Sequence, residues 1–261
     1  MSKVAIIGAG AYGTALGGIL AEKGYDIDYY DPQVEKERLK DTLDGAEAIL
    51  ICVPSEVVMK LLSHLPKDKF LIVASKGFLS VEPFAEFKDY AILSGAGFAD
   101  DIKASRTVKL TATDERVVEM FSRDYIRFDT TKDVLGVLIC GALKNVYAIK
   151  AGMLKLKPNT KKKENYIYEA VKELGIILKA NGADARTVGL ACGMKDLVLT
   201  AGINSRNYRY GVELSMGSDN KPDQTVEGLS ALKRIKRGDI IVPDEAVILQ
   251  SILEELKDAI E

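Results

Sequence analysis

The sequence contains one histidine, His64, and no tryptophan. A single imidazole cannot build a metal site of several histidine ligands, and we expect no metal site. It also leaves only His64 for proton transfer by histidine. We expect His64 to lie at the exposed end of a helix and assign it no role. If the chain is an enzyme, another side chain carries its proton.

The sequence also lacks an excess of charge of either sign. The 36 basic and 38 acidic side chains give a formal net charge of −2. Nucleic acid is therefore not expected as a main partner, because such a partner usually demands a strongly basic surface. The three cysteines are far apart, odd in number and set among apolar residues: Cys52, Cys140 and Cys192. This pattern predicts free thiols of a cytosolic protein.

Membrane-directed segments are not expected either. The first residues lead into a short apolar strand rather than the longer apolar region of a signal peptide. The longest apolar stretch, Val134 to Leu154, is interrupted by Lys144, Asn145 and Lys150, and it is a poor membrane span. We expect a cytoplasmic protein.

The apolar fraction of 47% is ample for a buried core, and 261 residues allow one large domain or two modest ones. The first half alternates short β-branched segments with helical patterns, which predicts a doubly wound parallel sheet covered by helices on both faces. The predicted strands are Lys3–Ile7, Asp26–Tyr30, Ala48–Val53, Phe70–Ala74, Ala91–Ser94 and Thr107–Thr111. The predicted helices are Ala11–Lys23, Glu56–Leu65 and Glu115–Phe121.

After Thr131 the pattern becomes helical. Long helical periodicities cover Val134–Lys155, Glu164–Asn181 and Asp244–Ile260. Asn181-Gly182 is a helix stop and Asp184 a helix N-cap. We therefore predict an α/β domain over residues 1–131 and an all-helical domain over residues 132–261.

The most specific local pattern is Gly8-Ala9-Gly10-Ala11-Tyr12-Gly13, which follows the first strand and opens the first helix. This is the context of the Rossmann dinucleotide fingerprint. Gly8 permits the tight turn, Gly10 lets the backbone approach a pyrophosphate, and Gly13 lets the helix lie close to the strand. The phosphates would meet the amide groups at the helix N-terminus. The alternative is a glycine-rich turn without a ligand.

Asp31 ends the second predicted strand, where a carboxylate in such domains binds the adenosine ribose hydroxyls. Its charge would repel a 2′-phosphate, so we predict NAD(H) as the preferred cofactor, with NADP(H) as the alternative. The other interpretation of Asp31 is a turn-forming residue before Pro32.

Lys144 and Asn145 are the unusual residues of the apolar helical segment Gly141–Val146. A lysine there either extends to water along its aliphatic stem or is held inside. The segment alone favours the first interpretation. A desolvated Lys144 would have a lowered pKa and would suit proton transfer. Asp196 is a candidate partner for it, and the triplet Ser205-Arg206-Asn207 offers phosphate donors or, alternatively, a surface helix cap.

Several short motifs occur in one order over nearly the whole chain. They are Val53-Pro54-Ser55, Ala74-Ser75-Lys76-Gly77, Ser94-Gly95 with Phe98-Ala99, Gly141-Ala142-Leu143-Lys144-Asn145-Val146, Asp196-Leu197-Val198-Leu199-Thr200, Ser205 to Gly211 and Val226-Glu227-Gly228. Together with the glycine fingerprint, they resemble those of NAD(P)-dependent glycerol-3-phosphate dehydrogenase. The resemblance implies a Rossmann domain, an all-helical domain, a homodimer, and interconversion of dihydroxyacetone phosphate and sn-glycerol 3-phosphate.

The resemblance also implies residue roles. Lys144 would be the general acid/base at the substrate C2 oxygen, Lys76 would contact substrate and nicotinamide, and Asp196 would orient Lys144. Substrate or cofactor would be bound by Ser205, Arg206 and Asn207, by the loop residues Gly95, Gly97 and Ala99, and, on the cofactor side, by Glu227.

The chain departs from the family pattern at several places. The loop usually written Ser-Gly-Pro-Ser-Phe-Ala is Ser94-Gly95-Ala96-Gly97-Phe98-Ala99, an acidic residue is replaced by Leu138, and Lys195 puts a second ammonium beside Asp196 in the sequence. The altered loop leaves open a related dehydrogenase for another phosphorylated or acidic hydroxy compound. A dinucleotide-binding sensor with decayed chemistry is the non-enzyme alternative. The basic segments 161–163 and 233–237 are either solvated surface or an attraction for a phosphorylated substrate.

Overall fold

The computed structural model of the chain describes residues 2–34, 38–78, 80–217 and 226–260. They fall into two compact units. The first lies within Met1–Ser75 and Val81–Val134, and the second within Lys76–Ser80 and Leu135–Glu261. Each unit is built around its own core.

The first unit is an α/β fold around a seven-stranded sheet. Its strands are β1 (Lys3–Ile7), β2 (Asp26–Tyr30), β3 (Ala46–Ile51), β4 (Phe70–Val73), β5 (Tyr90–Ala96), β6 (Val108–Ala112) and β7 (Ile126–Thr130). Its helices are α1 (Ala11–Glu22), α2 (Leu39–Leu43), α3 (Ser55–Leu61), α4 (Ala99–Lys103) and α5 (Glu115–Phe121), with 3₁₀ turns at Leu62–His64 and Glu82–Phe84.

The strand order is β2-β1-β3-β4-β5-β6-β7. The order reverses beside β1, so the loop after β1 lies where open α/β sheets bind ligands. Strands β1, β3 and β4 are almost entirely buried. Their apolar residues are therefore covered on both faces, as strands of a parallel sheet require.

The predicted parallel sheet is confirmed except at one pair of strands. Strand β6 pairs antiparallel with β5 and parallel with β7. Residues 97–107 contain only α4, a helix of five residues. Because a parallel crossover usually needs a longer connection, the chain instead returns beside β5 in the opposite direction. The sequence pattern also missed β7, α2 and α4.

The second unit is helical, as predicted. It contains α6 (Val134–Met153), α7 (Lys161–Ala180), α8 (Asp196–Thr200), α9 (Arg206–Leu214), α10 (Glu227–Lys236) and α11 (Val247–Glu255). A 3₁₀ helix covers Ala185–Gly189, a π-helical turn covers Ala191–Lys195, and a last 3₁₀ turn covers Asp258–Ile260. Helix α7 ends at Ala180 with Asn181 as its C-cap, and Asp184 caps the next turn by accepting from the Arg186 amide, so the predicted helix stop and N-cap are confirmed.

Helix α6 is the centre of this unit. It is long and apolar enough to cross a membrane by length and composition, but 83% of its most apolar window is buried inside the protein. Lys144 and Lys150 therefore do not make α6 too polar to qualify as a membrane span by composition, contrary to the expectation from the sequence. Burial of this kind is typical of a core helix.

The predicted helix over Asp244–Ile260 is shorter in the structure because α11 begins at Val247. Glu173 on α7 is 5% exposed, and its carboxylate accepts hydrogen bonds from the amides of Ile248 and Leu249. It also accepts one from the Tyr147 hydroxyl at 2.9 Å. A buried carboxylate from α7 thus satisfies the first amides of α11.

Candidate active site

The loop between β1 and α1 has the geometry expected of a phosphate-binding turn. Gly8 has φ +110°, and a Cβ there would lie 2.9 Å from Val53 Cγ1. A Cβ at Gly13 would overlap the carbonyl oxygen of Gly8, which explains why the first turn of α1 needs glycine. Beyond its chain neighbours, a Cβ at Gly10 would meet no heavy atom of the described residues within 4 Å, so Gly10 borders open space at the N-terminus of α1.

Asp31 follows β2 and joins the same loop. Its Oδ2 accepts from the Ala9 amide at 3.1 Å, and its Oδ1 accepts from the Gln33 amide at 3.0 Å. The second bond is the turn-forming contact that sequence reasoning held as the alternative. The first places the carboxylate beside the glycine loop. The two interpretations of Asp31 are therefore compatible.

The altered loop Ser94–Ala99 continues from β5 into α4. Gly95 has φ +132°, and a Cβ there would lie 2.8 Å from Leu110 Cα, so the neighbouring strand β6 itself requires this glycine. A Cβ at Gly97 would lie 3.2 Å from Val108, and Ala99 begins α4. The Ser94 hydroxyl is buried without a hydrogen-bond partner among the described residues.

Lys144 is held inside the second unit. Its side chain and that of Asp196 are each 2% exposed, and its ammonium donates to Asp196 Oδ2. The Thr200 hydroxyl donates to the other oxygen, Oδ1, at 3.3 Å. The interpretation of Lys144 as a lysine that extends to water was wrong, because α8 covers this face of α6 and supplies a counter-ion.

Burial lowers the pKa of Lys144 to about 8. The carboxylate of Asp196 opposes this effect, and the nearby charge of Lys76 adds to it. The side chain of Lys76 is thus close enough to interact with the Lys144 ammonium. The structure therefore brings together the three residues for which the resemblance implies catalytic roles.

Asp196 owes its position to the turn before it. Gly193 in the Ala191–Lys195 segment has non-helical φ −93° and ψ −108°, and a Cβ there would overlap backbone of Val188. After this break, α8 begins with Asp196 buried and Lys195 exposed. The second ammonium that is adjacent in sequence therefore faces solvent rather than the ion pair.

A hydrogen-bond network connects two other candidates, Asn207 and Glu227, through Asn145. Asn145 Nδ2 donates to Glu227 Oε2 at 3.1 Å and to Gly141 O at 3.2 Å. Asn207 Nδ2 donates to Asn145 Oδ1 at 2.9 Å, and Asn207 Oδ1 accepts from the Gly228 amide at 2.9 Å. Asn145, which sequence reasoning marked as unusual without assigning a role, therefore fixes the amide of Asn207 and the carboxylate of Glu227.

The triplet 205–207 begins α9. Ser205 caps the helix by accepting from the Tyr208 amide at 3.5 Å, so the cap interpretation is right for this residue. Arg206 is exposed at the first helical position, and Asn207 is buried. His64 is exposed at the end of the Leu62–His64 turn, as predicted. The three cysteines are free thiols, also as predicted.

Comparison with known proteins decides the family. The model described as "NAD-dependent glycerol-3-phosphate dehydrogenase C-terminus" matches residues 133–254. Glycerol-3-phosphate dehydrogenase [NAD(P)+] of Citrifermentans bemidjiense is 33% identical over 82% of this chain and 79% of that protein. The protein of the same name from Leptospira biflexa is 33% identical over 90% of this chain and 84% of that protein. The chain belongs to the NAD(P)-dependent glycerol-3-phosphate dehydrogenase family.

The fold of the family agrees with this assignment. The crystal structure of glycerol-3-phosphate dehydrogenase from Coxiella burnetii matches 98% of this chain and 99% of that chain, with a TM-score of 0.78 and 26% identity. The yeast enzyme has a similar fold, with a TM-score of 0.73 and 20% identity over 100% of this chain and 99% of that chain. A Rossmann α/β unit and a helical unit are thus features that this glycerol-3-phosphate dehydrogenase family member shares with solved structures.

Proposed function

We propose that the protein interconverts dihydroxyacetone phosphate and sn-glycerol 3-phosphate with NAD(H), and that Lys144 is the general acid/base. Family membership supports the reaction. The buried Lys144–Asp196 pair supports the role of Lys144, because a lysine with a pKa of about 8 exchanges a proton readily near neutral pH. This pair is the observation that carries the proposal.

The residues of the first unit fit a dinucleotide. A Cβ at Gly10 would point into open space beside the N-terminus of α1, and amide groups there are suited to a pyrophosphate. Gly8, Gly10, Ala11, Tyr12 and Gly13 would hold the phosphates, and Asp31 would bind the ribose hydroxyls. NAD(H), when bound, supplies or accepts the hydride at substrate C2. NAD(H) is the preferred form in this proposal because the charge of Asp31 disfavours a 2′-phosphate, and NADP(H) is the alternative.

The residues of the second unit perform the proton chemistry. In the reducing direction, the ammonium of Lys144 donates a proton to the C2 oxygen as C2 gains a hydride, and the carbonyl becomes a hydroxyl. In the oxidising direction, neutral Lys144 takes this proton back. Asp196 holds the ammonium in place, and Lys76 adds positive charge that stabilises the developing negative oxygen.

Binding of the phosphate group is assigned to the start of α9. The guanidinium of Arg206 is exposed and suits a phosphate, and the Asn207 amide adds a donor whose orientation is fixed by Asn145. Ser205, Gly95 and Gly97 complete the proposed substrate contacts, and Ala99, Lys76, Arg206 and Glu227 the proposed cofactor contacts. We also propose a cytoplasmic homodimer, with residues 1–131 as the dinucleotide-binding domain and 132–261 as the catalytic domain.

A second candidate reaction is favoured by one observation. The loop Ser94–Ala99 carries Ala96 and Gly97 where the family pattern has proline and serine. Such a loop would suit a related hydroxy compound that is phosphorylated or acidic.

The test is NADH oxidation with dihydroxyacetone phosphate, measured by the absorbance of NADH. Dihydroxyacetone, which lacks the phosphate, is the matched substrate control, and Arg206→Ala is the matched variant. We expect turnover with the phosphorylated substrate that falls in Arg206→Ala, and weak turnover without the phosphate in both proteins. Faster reduction of another acidic carbonyl compound favours the second candidate. NADH binding with no turnover of any such substrate favours the sensor.

A further inference from the structure

The segment Lys76–Ser80 has an unusual place in the molecule. It follows β4 after Ala74 and Ser75, yet it belongs to the helical unit rather than to the sheet unit. Gly77 has φ +96°, and Phe78 is 0% exposed. The charge of Lys76, at the start of this segment, acts on the Lys144 ammonium and lowers its pKa. Some contact in the helical unit must therefore hold the segment there.

Arg234 on α10 makes that contact. Its NH1 group donates to the carbonyl oxygen of Gly77 at 3.3 Å, and its guanidinium lies 5.6 Å from the centre of the Phe78 ring. The same guanidinium donates through Nε to Asp239 Oδ2 at 2.7 Å. One planar group thus joins the segment to α10 and to the turn after it, a geometry that lysine cannot reproduce.

The neighbouring charges do not share this environment. The Arg234 side chain is 18% exposed, whereas Lys236 and Arg237 on the same basic segment are exposed to solvent. The basic segment 233–237 therefore contains one arginine with a specific structural contact, so solvated surface does not describe all of it.

We propose that Arg234 is a positioning residue that holds Lys76 beside Lys144 by clamping the backbone of Gly77 and the ring of Phe78. Its significance for catalysis rests on the proposed function. Without the guanidinium, the Gly77 carbonyl loses a donor and the Phe78 ring loses its cation, so the segment is less firmly held and Lys76 withdraws from Lys144.

Withdrawal of Lys76 changes the pKa of Lys144, whereas loss of stability alone does not. The charged groups that act on Lys144 are Asp196 from α8 and Lys76, and Lys76 lowers the pKa of Lys144. When Lys76 moves away, Lys144 keeps its proton to higher pH. The alkaline limb of the reduction profile therefore shifts upward.

The experiment compares Arg234→Leu with Arg237→Leu, because both variants remove one positive charge from the same segment. We expect kcat/KM for dihydroxyacetone phosphate to fall about 10- to 100-fold in Arg234→Leu, since small misplacements of catalytic groups can cost about 100-fold. We also expect its alkaline midpoint to rise. Arg237→Leu retains the wild-type profile, and Arg234→Lys restores only part of the loss. Asp239→Asn, at an exposed residue, is the milder variant if Arg234→Leu fails to fold.

Hydrogen exchange separates this inference from the proposed function, because it needs no substrate. Peptides that contain Lys76, Gly77 and Phe78 exchange faster in Arg234→Leu and in Asp239→Asn than in Arg237→Leu if Arg234 is the clamp. Unchanged exchange in these peptides overturns the clamp even if the wild type reduces dihydroxyacetone phosphate. A lowered melting temperature with an unchanged alkaline midpoint also overturns it, because Arg234 would then have a structural role only. If the wild type has no turnover but these peptides still exchange faster in Arg234→Leu than in Arg237→Leu, the clamp is supported and the proposed function is contradicted.

Discussion

The ammonium of Lys144 and the carboxylate of Asp196 form an ion pair in which each side chain is 2% exposed. Removing two charges from water costs free energy that their attraction often only offsets, so a buried pair is weak evidence for stability. In a catalytic site, such a pair can instead hold a proton donor in a fixed position. Stabilisation of the ammonium by Asp196, against burial and the charge of Lys76, leaves the pKa of Lys144 near 8.

The first prediction concerns pH. Reduction of dihydroxyacetone phosphate needs the charged form of Lys144, whose population falls as the pH rises through about 8. Oxidation of sn-glycerol 3-phosphate needs the neutral form, whose population rises over the same range. We therefore expect kcat for the two directions to change in opposite senses across that pH, measured in one series of buffers of constant ionic strength. Parallel pH profiles for the two directions are incompatible with this role of Lys144.

The second prediction concerns Asp196→Asn. Loss of the carboxylate removes the group that raises the pKa of Lys144, so the alkaline limb of the reduction profile moves to lower pH. It also leaves a buried ammonium without its counter-ion, and removing one partner of such a pair costs about 3–5 kcal/mol. Urea unfolding measures this cost, which shrinks at alkaline pH where Lys144 is neutral. Thr200→Val, which removes only the hydroxyl donated to Asp196, serves as the milder control.

The third prediction separates binding from folding in α1. Gly10→Ala adds a methyl group that, beyond the chain neighbours, meets no heavy atom of the described residues within 4 Å, and alanine readily adopts the φ of −69° at this position. We expect its melting temperature to stay unchanged while its affinity for NADH, measured by fluorescence titration, falls. Gly13→Ala would instead overlap the Gly8 carbonyl and destabilise the unit.

Gly18→Ala is the matched control for that pair. It lies on the same helix and is exposed, and outside the backbone of that helix the added methyl group would meet no heavy atom within 4 Å in the part of the chain that the structure describes. Replacing glycine in a helix interior by alanine stabilises by about 0.5–1 kcal/mol, and NADH affinity should not change. Equal NADH affinities for Gly10→Ala and Gly18→Ala would contradict the proposal that this loop binds the cofactor phosphates.

The fourth prediction concerns the choice of cofactor. Asp31→Asn removes a charge at nearly constant shape while keeping one oxygen as acceptor for the Ala9 or Gln33 amide. We expect the wild type to have a lower Michaelis constant for NADH than for NADPH, and the variant to narrow that difference. A wild type that prefers NADPH would show that Asp31 acts in the turn alone.

Much of the fold could be predicted from the sequence because strand and helix patterns are local. Strands β1 and β2 and helix α5 have the predicted bounds, and the switch to helices after Thr131 is confirmed. The direction of β6 could not be predicted in this way. It depends on how the short connection through α4 returns to the sheet, and periodicity within a strand carries no information about the direction of its neighbour.

The glycines of the first site could be predicted because the pattern of Gly8, Gly10 and Gly13 between a strand and a helix is local in the sequence. The environment of Lys144 could not, since within α6 the lysine is one polar residue on an apolar helix. Only the packing of α8, with Asp196 after the break at Gly193, decides that it is held inside. The roles of Asn145 and Arg234 depend likewise on partners 82 and 157 residues away in the chain.

The most direct test of the account is kcat for dihydroxyacetone phosphate reduction by Lys144→Met, with Lys150→Met on the same helix as the control. Retained NADH binding shows that the variant is folded. Because a general acid contributes about 10²- to 10⁴-fold, we expect kcat to fall by that factor in Lys144→Met and to stay near the wild-type value in Lys150→Met. A Lys144→Met enzyme that turns over as fast as the wild type would contradict the central claim.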